Sequence, residues 1–381
     1  MLRSVISDFR GAGHSVTTLL DLRLIALKPP LEAERVICIS SAKEADAAMK
    51  NLAGSVDAVY VIAPESNGIL ESLVADMEKE GVSTLNSSAS AIKSVSDKSM
   101  LQEHLHRIGL ATPKSLVFNI NDDVGEIAKL VNERIGFPAL FKPSREVGMT
   151  GLSVVRDSQE VAGAVFKIAR NSSEKRFLAQ ELLHGIPASV SLISTGEDVA
   201  AVSLNRQDLT LASHDSASSY DGGLVPLEDS GKAEPLSVAK VVAKQFSGLR
   251  GYIGVDFVLT PDGPFVIEVN PRLTTSYVGL REIAKFNPAQ AMIDAVFHGK
   301  LPNVETSGYA CFSKTKMPEP SMYAFREMCK MQEVVSPPFP ISSESSAWAL
   351  VAARGSTSEK AELSLKEVKH RLVNIACSRR G

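Results

Sequence analysis

Residues 251–272 read GYIGVDFVLTPDGPFVIEVNPR, two apolar segments on either side of a Pro-Asp-Gly turn. Apolar runs flanking such a cluster predict a β-hairpin. If the loop has three residues, Thr260 opposes Pro264, and the same register sets Asp256 opposite Glu268. A shift of one residue would turn one member of each pair to the other face, so the pairing of the two acids depends on this register.

The two predicted strands carry Asp256, Glu268 and Asn270 in apolar surroundings, where an uncompensated carboxylate is costly. Glu268 and Asn270 are two residues apart and therefore face the same side of their strand. Opposed side chains on one face lie about 5 Å apart, so the two carboxylates repel unless a cation lies between them. Hard oxygen ligands that leave room for phosphate suit Mg²⁺, with Mn²⁺ as a substitute. Acids on an ordinary solvated strand face are the alternative.

The composition limits the class of protein. A chain of 381 residues that is 44% hydrophobic is globular and large enough for two or three domains. A net charge of −3 gives no sign of a nucleic-acid or membrane-surface partner. Four cysteines without metal-type or redox spacing predict free thiols in the cytoplasm. No apolar run approaches membrane length, and charges interrupt the first residues where a signal peptide needs an apolar stretch.

Alternating helix and strand patterns fill residues 1–95 and predict an α/β domain with a Rossmann-like parallel sheet. The predicted strands are SVTTLLD, RVICIS, AVYVIAP and STLN, and the predicted helices between them are AKEADAAMKNLA and NGILESLVADMEKEG. The chain begins with a short amphipathic helix that ends near Gly11. The strand that usually opens such a sheet is therefore expected to be missing.

A helix at about 97–108, capped by Ser96 and ended by Gly109, opens the rest of the chain. Strand and helix patterns after it predict a small lobe, a larger mixed lobe that ends in the helix PAQAMIDAVFHG, and a small C-terminal accessory region. The predicted bounds are 96–183, 184–300 and 301–381.

Two lysines lie where a purely structural element would not favour a cation. Lys98 falls in the first turn of its helix, where its charge opposes the helix dipole unless an anion such as phosphate binds there. Lys142 ends the apolar strand PALFKP, and the loop SREVGMTG follows. Gly148 and Gly151 allow this loop to approach a ligand closely, as a clamp on a polyphosphate. A surface lysine and an ordinary mobile hairpin are the alternatives.

Two further positions have chemical potential. Gln180 and Glu181 end a strand and, with Leu183, enter a connection between lobes that can offer polar groups to an adenine edge. Arg272 follows the hairpin, where its guanidinium can hold a substrate carboxylate or a developing oxyanion. A strand-terminal acid at Glu181 and a structural ion pair at Arg272 are the alternatives.

Five residues are weaker candidates for contact with substrate. Glu65 ends the strand AVYVIAP, at the edge where ligands of open α/β sheets bind. Asn205 and Arg206 in SLNRQ, and Gly222 and Gly223 in SYDGG, can approach the same cleft. A structural role is favoured for each of these residues.

Taken in order, the motifs SDK, FKP with its glycine loop, QELL, GVDF and VIEVNPR resemble those of the ATP-grasp carboxylate–amine ligases. Each motif is weak alone, but together they span about 97 to 285 and are specific. Within that superfamily, the segments LAQELLHGIPASVSL, VSLNRQ and IEVNPRLTTSYVGLR resemble the branch that joins L-glutamate to tyramine in methanofuran biosynthesis. NPRLTTSYVGL is the most distinctive of these segments.

The resemblance implies an ATP-grasp fold and a reaction in which Mg-ATP phosphorylates a carboxylate and an amine attacks the acyl phosphate. It implies small-molecule partners (ATP, L-glutamate and a phenolic amine) and a homodimer as one arrangement. It assigns phosphate binding to Lys98 and Lys142, and acyl-phosphate stabilisation to Arg272. It also assigns adenine binding to Glu181 and Leu183, and Mg²⁺ binding to Asp256, Glu268 and Asn270.

Three features depart from the family's pattern. Many relatives place a glutamate for the ribose after the glycine that follows the hinge, whereas Ile186-Pro187-Ala188 follows Gly185 here. The opening strand is expected to be missing, and the chain is expected to have a longer small lobe and a C-terminal extension. These additions favour a methylofuran-type branch, whose amine is tyrosine-like. A ligase for another amino acid or dipeptide, and a non-catalytic ATP-binding regulatory protein, remain alternatives.

Overall fold

The computed structural model of the chain describes residues 1–25, 31–228, 231, 233–340 and 346–377. Its first part alternates short helices with strands. In chain order the elements are α1 Leu2–Gly11, β1 Thr17–Asp21, α2 Leu22–Ile25, β2 Arg35–Ile39, α3 Ala42–Ala53, α4 Ile69–Lys79 and α5 Ala89–Ser96. Strands β1 and β2 pair in parallel, which confirms the predicted parallel sheet at the N-terminus. The predicted strands AVYVIAP and STLN meet only in a parallel bridge between Val59 and Thr84, so they do not form full strands.

The small lobe follows. Its elements are α6 Lys98–Arg107, β3 Ser115–Asn119, α7 Val124–Arg134, β4 Ala139–Pro143, β5 Ser153–Val155, α8 Val161–Asn171 and β6 Arg176–Glu181. Strands β3, β6, β4 and β5 form one antiparallel sheet in that order, with α7 and α8 packed on its apolar face. Helix α6 begins after Asp97, whose carboxylate accepts hydrogen bonds from the Ser99 and Met100 amides. The predicted cap at Ser96 is therefore wrong, because Ser96 is the last residue of α5.

The large lobe contains the hairpin and the sheet around it. Its elements are β7 Ile186–Ser194, β8 Val199–Thr210, β9 Ser219–Val225, α9 Ala233–Lys244, β10 Gly251–Thr260, β11 Gly263–Asn270, α10 Tyr277–Ile283 and α11 Pro288–His298. The C-terminal elements are β12 Tyr309–Pro318, α12 Met322–Cys329, β13 Val334–Pro340, β14 Ser346–Gly355 and α13 Ser358–Cys377. Among the described residues, one sheet runs in the order β11, β10, β7, β8, β9, β12, β14, β13. The predicted accessory region therefore adds three strands to the sheet of the large lobe.

The hairpin has the predicted pairing of Asp256 with Glu268, but its loop and register differ from the prediction. Its loop has two residues, not three, because Thr260 pairs with Gly263. The ladder then shifts between Phe257 and Asp256, so that Ile267 is an extra residue on β11. The extra residue in the bulge compensates for the loop being one residue shorter than predicted, so Asp256 lies opposite Glu268.

A buried polar network fixes the first helix against the large lobe. Asp8 on α1 accepts hydrogen bonds from the guanidinium of Arg281, the shortest at 2.6 Å, and from the hydroxyl of Tyr277 at 2.6 Å. Arg281 and Tyr277 both lie on α10, directly after the NPR segment. The N-terminal helix is thus packed against the element that continues the hairpin, and it lies close to the cleft.

In the described ranges no helix is long and apolar enough to cross a membrane. All four cysteines are free thiols, as the sequence predicts.

Candidate active site

A cavity of ≈ 540 Å³ lies between the small and large lobes and reaches the N-terminal domain. Most of the residues singled out in the sequence line it. They are Lys98, Lys142, Gly148, Gln180, Glu181, Leu183, Asp256, Glu268, Asn270 and Arg272. Lys98 and Arg272 are far apart in the sequence, so it is the fold that brings these residues together.

The hairpin presents its polar side chains on one wall of this cavity. Asp256 faces Glu268 across the ladder and accepts hydrogen bonds of 3.1 Å from the side-chain amides of Asn270 and Gln207. In the described part of the chain no three His, Cys, Asp or Glu side chains are arranged so that they could hold a metal ion, so a metal site here depends on two carboxylates and an amide. In the orientation shown, the nitrogen of Asn270 faces Asp256, and rotation of the amide would present its oxygen instead.

The electrostatics of the two carboxylates fit a divalent cation. Burial raises the pKa of Asp256 well above its usual range, and the charge of Glu268 adds to this rise. Burial acts in the same direction on Glu268, but Lys98 and Lys142 outweigh it and hold the pKa of Glu268 well below its usual value. Without a cation, simultaneous ionisation of the two carboxyl groups is therefore unfavourable. A cation between hard oxygen ligands offsets that cost, so the donors present fit Mg²⁺.

Both predicted lysines face the carboxylates. The ammonium of Lys98 lies 3.2 Å from Glu268 Oε2 and donates to the Glu146 carbonyl at 2.7 Å. Lys142 is 6% exposed, and burial lowers its pKa to about 8 even though Glu268 and Asp256 act in the opposite direction. Two nearly buried cations beside carboxylates form a region of high charge density that a magnesium–polyphosphate ligand can match.

The glycine loop, residues 144–151, connects β4 to β5 and lies over this region. Gly148 and Met149 have φ values of +65° and +67°, and Gly151 has φ +72°. Gly151 does not line the cavity; a Cβ on it would lie 3.0 Å from the ring of Pro143, so its smallness serves the base of the loop. Arg145 anchors the same base through a 3.4 Å ion pair with Asp97.

The hinge forms the other end of the cavity. Glu181 and Lys114 form two hydrogen bonds: the Glu181 amide donates to the Lys114 carbonyl at 2.8 Å, and the Glu181 carboxylate accepts from the Lys114 amide at 3.2 Å. Gln180 is buried and donates to Ser115 Oγ at 3.0 Å. Gly185 then passes so close to the Leu259 carbonyl that a Cβ would collide with it. The hinge backbone is therefore held against β10, with apolar side chains at the cavity wall.

Arg272 and Glu65 form an ion pair across the domain boundary. Arg272 Nε lies 2.6 Å from Glu65 Oε2, and another guanidinium nitrogen donates to Asn270 Oδ1 at 3.3 Å. Glu65 is 5% exposed, and its second carboxylate oxygen has no hydrogen-bond partner. Glu65 does not line the cavity; it orients Arg272, which does. Arg272 thus forms the structural ion pair that the sequence left as an alternative and also lines the cavity.

The other four predicted substrate residues also lie outside the cavity wall. Asn205 is fully buried and donates to the hydroxyls of Ser189 and Ser191. Arg206 pairs with Asp208 and, at 2.9 Å, with Glu362 on α13.

Gly222 and Gly223 lie on β9 between neighbouring strands, where a Cβ would collide with the carbonyls of Phe312 and Arg206 respectively. Their smallness therefore serves strand packing. The prediction that these two glycines, with Asn205 and Arg206, approach the cleft is wrong.

The lining residues that the sequence predictions missed include Gln207, Tyr220 and Lys314. They come from β8, β9 and β12, which are neighbours in one sheet although β9 and β12 are far apart in the sequence. Gln207 follows the two residues singled out in SLNRQ, so the strand was identified but the wrong positions were chosen. No local signal marks Tyr220 or Lys314, because only the order of the strands brings them to the cavity.

Residues 211–218, the loop between β8 and β9, close one side of the cavity against the small lobe. The ammonium of Lys167 on α8 donates to the carbonyls of Leu152, Ser213 and Ser216 at 2.6 to 3.1 Å. On the same helix, Gly163 leaves the space that the ring of His214 occupies. Leu211 of this loop lines the cavity, so the contact with α8 shapes the ligand site.

Replacing Lys167 with methionine removes three charge-assisted hydrogen bonds and should release the 211–218 loop. We expect faster amide hydrogen exchange in that loop and a KM for ATP about 10-fold higher. Lys240→Met, on the exposed face of α9, is the matched control and should change neither. Unchanged exchange in the loop of the Lys167 variant would show that Lys167 does not hold it closed.

Family models match two regions of the chain: a pre-ATP-grasp domain at residues 14–92 and an ATP-grasp domain at residues 95–276. The chain belongs to the ATP-grasp superfamily, and its ligase relatives mark it as an ATP-dependent ligase.

Two curated relatives illustrate the range of sequence similarity. The tyramine–L-glutamate ligase of Methanocaldococcus jannaschii is 29% identical over 258 residues, which cover 67% of this chain and 68% of that protein. A carbamoyl phosphate synthase large chain of Clostridium botulinum is 26% identical over 212 residues, covering 55% of this chain and 19% of that protein. Both matches span large parts of this chain, but only the first spans most of the relative.

The same fold occurs in the biotin carboxylase domain dimer of a 2-oxoglutarate carboxylase from Hydrogenobacter thermophilus, solved with MgADP, ADP and bicarbonate. The TM-score is 0.74 at 15% identity, over 99% of this chain and 91% of the other. At this identity the likeness shows the fold alone. A dimer of this chain stays a prediction.

Proposed function

We propose that this protein uses Mg-ATP to activate a carboxylate of L-glutamate and joins it to a phenolic amine, either tyramine or a tyrosine-like amine. The observation that carries the proposal is the cluster of Asp256, Glu268 and Asn270 facing Lys98 and Lys142 in one cleft. The resemblance of the NPR segment and its neighbours to ligases of methanofuran biosynthesis supports the choice of substrates. A role in methanofuran or methylofuran biosynthesis is part of the same proposal.

The small lobe and hinge would bind ATP. Lys98 and Lys142 would hold the phosphates from one side, while the glycine loop would cover them and exclude water that would hydrolyse an activated intermediate. Glu181 and Leu183 would contact the adenine at the hinge. Asp256, Glu268 and the Asn270 amide oxygen would hold Mg²⁺, which when bound neutralises the phosphate charge during transfer.

The reaction would proceed in two steps, phosphoryl transfer and then attack by the amine. A carboxylate oxygen of L-glutamate would form a bond to the γ-phosphorus as the bond to the ADP oxygen breaks, giving an acyl phosphate and ADP. The amine nitrogen would then attack the acyl carbon, and phosphate would leave with the proton that the nitrogen loses. Arg272, held by Glu65, would stabilise the oxyanion that forms in between. Positioning and charge would supply the catalysis, with no covalent protein nucleophile.

Product analysis tests the substrates directly. The protein would be incubated with Mg-ATP and L-glutamate, with tyramine or tyrosine added in separate reactions, and the products would be identified by mass spectrometry. We expect one of the two mixtures to contain glutamate plus amine minus one water, together with ADP. ADP without either product would contradict the proposed amine, and no ADP with any amine would contradict the ligase activity.

A further inference from the structure

The C-terminal region contributes a cation to the cavity. Lys314 on β12 is one of the lining residues, and it lies outside both regions that the family models match. Strand β12 pairs with β9 through Ser313 and Gly222, so this position depends on the extension of the large-lobe sheet. Strand β12 of the C-terminal region therefore contributes to the cavity wall.

Lys314 lies beside a row of polar and aromatic side chains. Its ammonium is 6.0 Å from the centre of the Tyr220 ring, which also lines the cavity. Tyr220 pairs with Leu209 on β8, and Gln207, two residues before Leu209, donates to Asp256. Burial raises the pKa of Tyr220, and the charge of Asp256 raises it further.

Among the residues that the structure describes, no acid pairs with Lys314. The acids Asp208 on β8 and Asp221 on β9 have other partners: Asp208 accepts from Arg206 at 2.9 Å, and Asp221 accepts from Thr210 and Ser219 at 2.8 Å each. Within the described ranges, the ammonium of Lys314 forms no ion pair. Its cation–π contact is with the Tyr220 ring. An exposed ammonium that lines a cavity and lacks an acid is suited to bind an anionic ligand group.

We propose that Lys314 binds a substrate carboxylate that is not the one activated. This inference rests on the proposed function, in which two such groups exist: the second carboxylate of L-glutamate, and the carboxylate of a tyrosine-like amine. Arg272 and the hairpin acids would hold the reacting end of the substrates, and Lys314 would hold the far end across Gln207 and Tyr220. The C-terminal region would thereby select the substrate.

The test is to replace Lys314 with methionine and compare affinities with those of the wild type. Dissociation constants for L-glutamate, tyrosine and tyramine would be measured calorimetrically with a non-hydrolysable ATP analogue, alongside KM values for amide formation. We expect a rise of about 10- to 100-fold for the substrate whose carboxylate Lys314 holds. A higher dissociation constant for L-glutamate would show that Lys314 binds the acyl donor. A higher constant for tyrosine, with that of tyramine unchanged, would show that Lys314 binds the amine substrate.

Two controls separate this effect from others. Lys314→Arg keeps the charge and should retain most of the affinity. Lys316→Met removes a lysine two positions along β12 that does not line the cavity, and it should bind all three compounds as the wild type does. Unchanged constants in Lys314→Met overturn the inference while the proposed function stands. Binding without amide formation contradicts the proposed function alone, and a wild type that binds neither L-glutamate nor tyrosine contradicts both.

Discussion

The Glu268→Gln variant should form ADP roughly 10²- to 10³-fold more slowly than the wild type, equivalent to the loss of ~3 to 4 kcal/mol of transition-state stabilisation. Glu268 lies opposite Asp256 on the hairpin and beside the ammonium of Lys98. An amide keeps the shape of the side chain but removes the charge that would hold Mg²⁺ against the phosphates. Raising the Mg²⁺ concentration should recover part of the lost rate, because the defect is in metal affinity.

The fold of this variant should survive. The charge of Glu268 raises the pKa of Asp256, so its removal relieves a repulsion between the two carboxylates. The same substitution removes the acid that pairs with Lys98. Glu133→Gln, on the exposed face of α7, controls for the substitution itself and should keep full activity. Near-normal turnover of Glu268→Gln at low Mg²⁺ would refute the metal assignment.

Replacing Lys142 with methionine should lower kcat/KM for ATP about 100-fold while the melting temperature does not fall appreciably. The activity falls because a phosphate loses a charge-assisted hydrogen bond in a nearly buried site. The stability is kept because burial disfavours the ammonium, as the lowered pKa of about 8 shows, and methionine fills the same space without a charge.

Steady-state kinetics with varied ATP and thermal unfolding of the same samples check both halves of this prediction. Lys129→Met on α7 serves as the control, since that lysine is exposed and lies outside the cavity. If ATP kinetics are unchanged in Lys142→Met, this lysine does not bind phosphate. A large fall in the melting temperature would instead assign it a structural role through Glu268 and Asp256.

Local patterns predicted the elements well where one segment carries its own signals. The hairpin, α3 and the strand that carries Lys142 follow from turn residues and apolar periodicity. The facing of Asp256 and Glu268 was also predicted, but for an incomplete reason: a bulge at Ile267 compensates for a shorter loop. A bulge changes the register without leaving a clear mark in the sequence.

Long-range placement could not be predicted in the same way. Gln207, Tyr220 and Lys314 line the cavity because β8, β9 and β12 are neighbours in one sheet, and no alternation within a strand tells which face meets a distant lobe. The same limit explains the wrong placement of Asn205 and Arg206, one of which is buried against serines while the other pairs with α13.

The measurement that tests the account most directly follows oxygen atoms through the reaction. L-Glutamate labelled with ¹⁸O in its carboxylates would be converted with Mg-ATP and the accepted amine, and the released phosphate would be analysed by mass spectrometry. Activation as an acyl phosphate predicts one ¹⁸O atom in each phosphate and ADP as the nucleotide product. Amide formation with unlabelled phosphate, or with AMP in place of ADP, would contradict the mechanism assigned to this site.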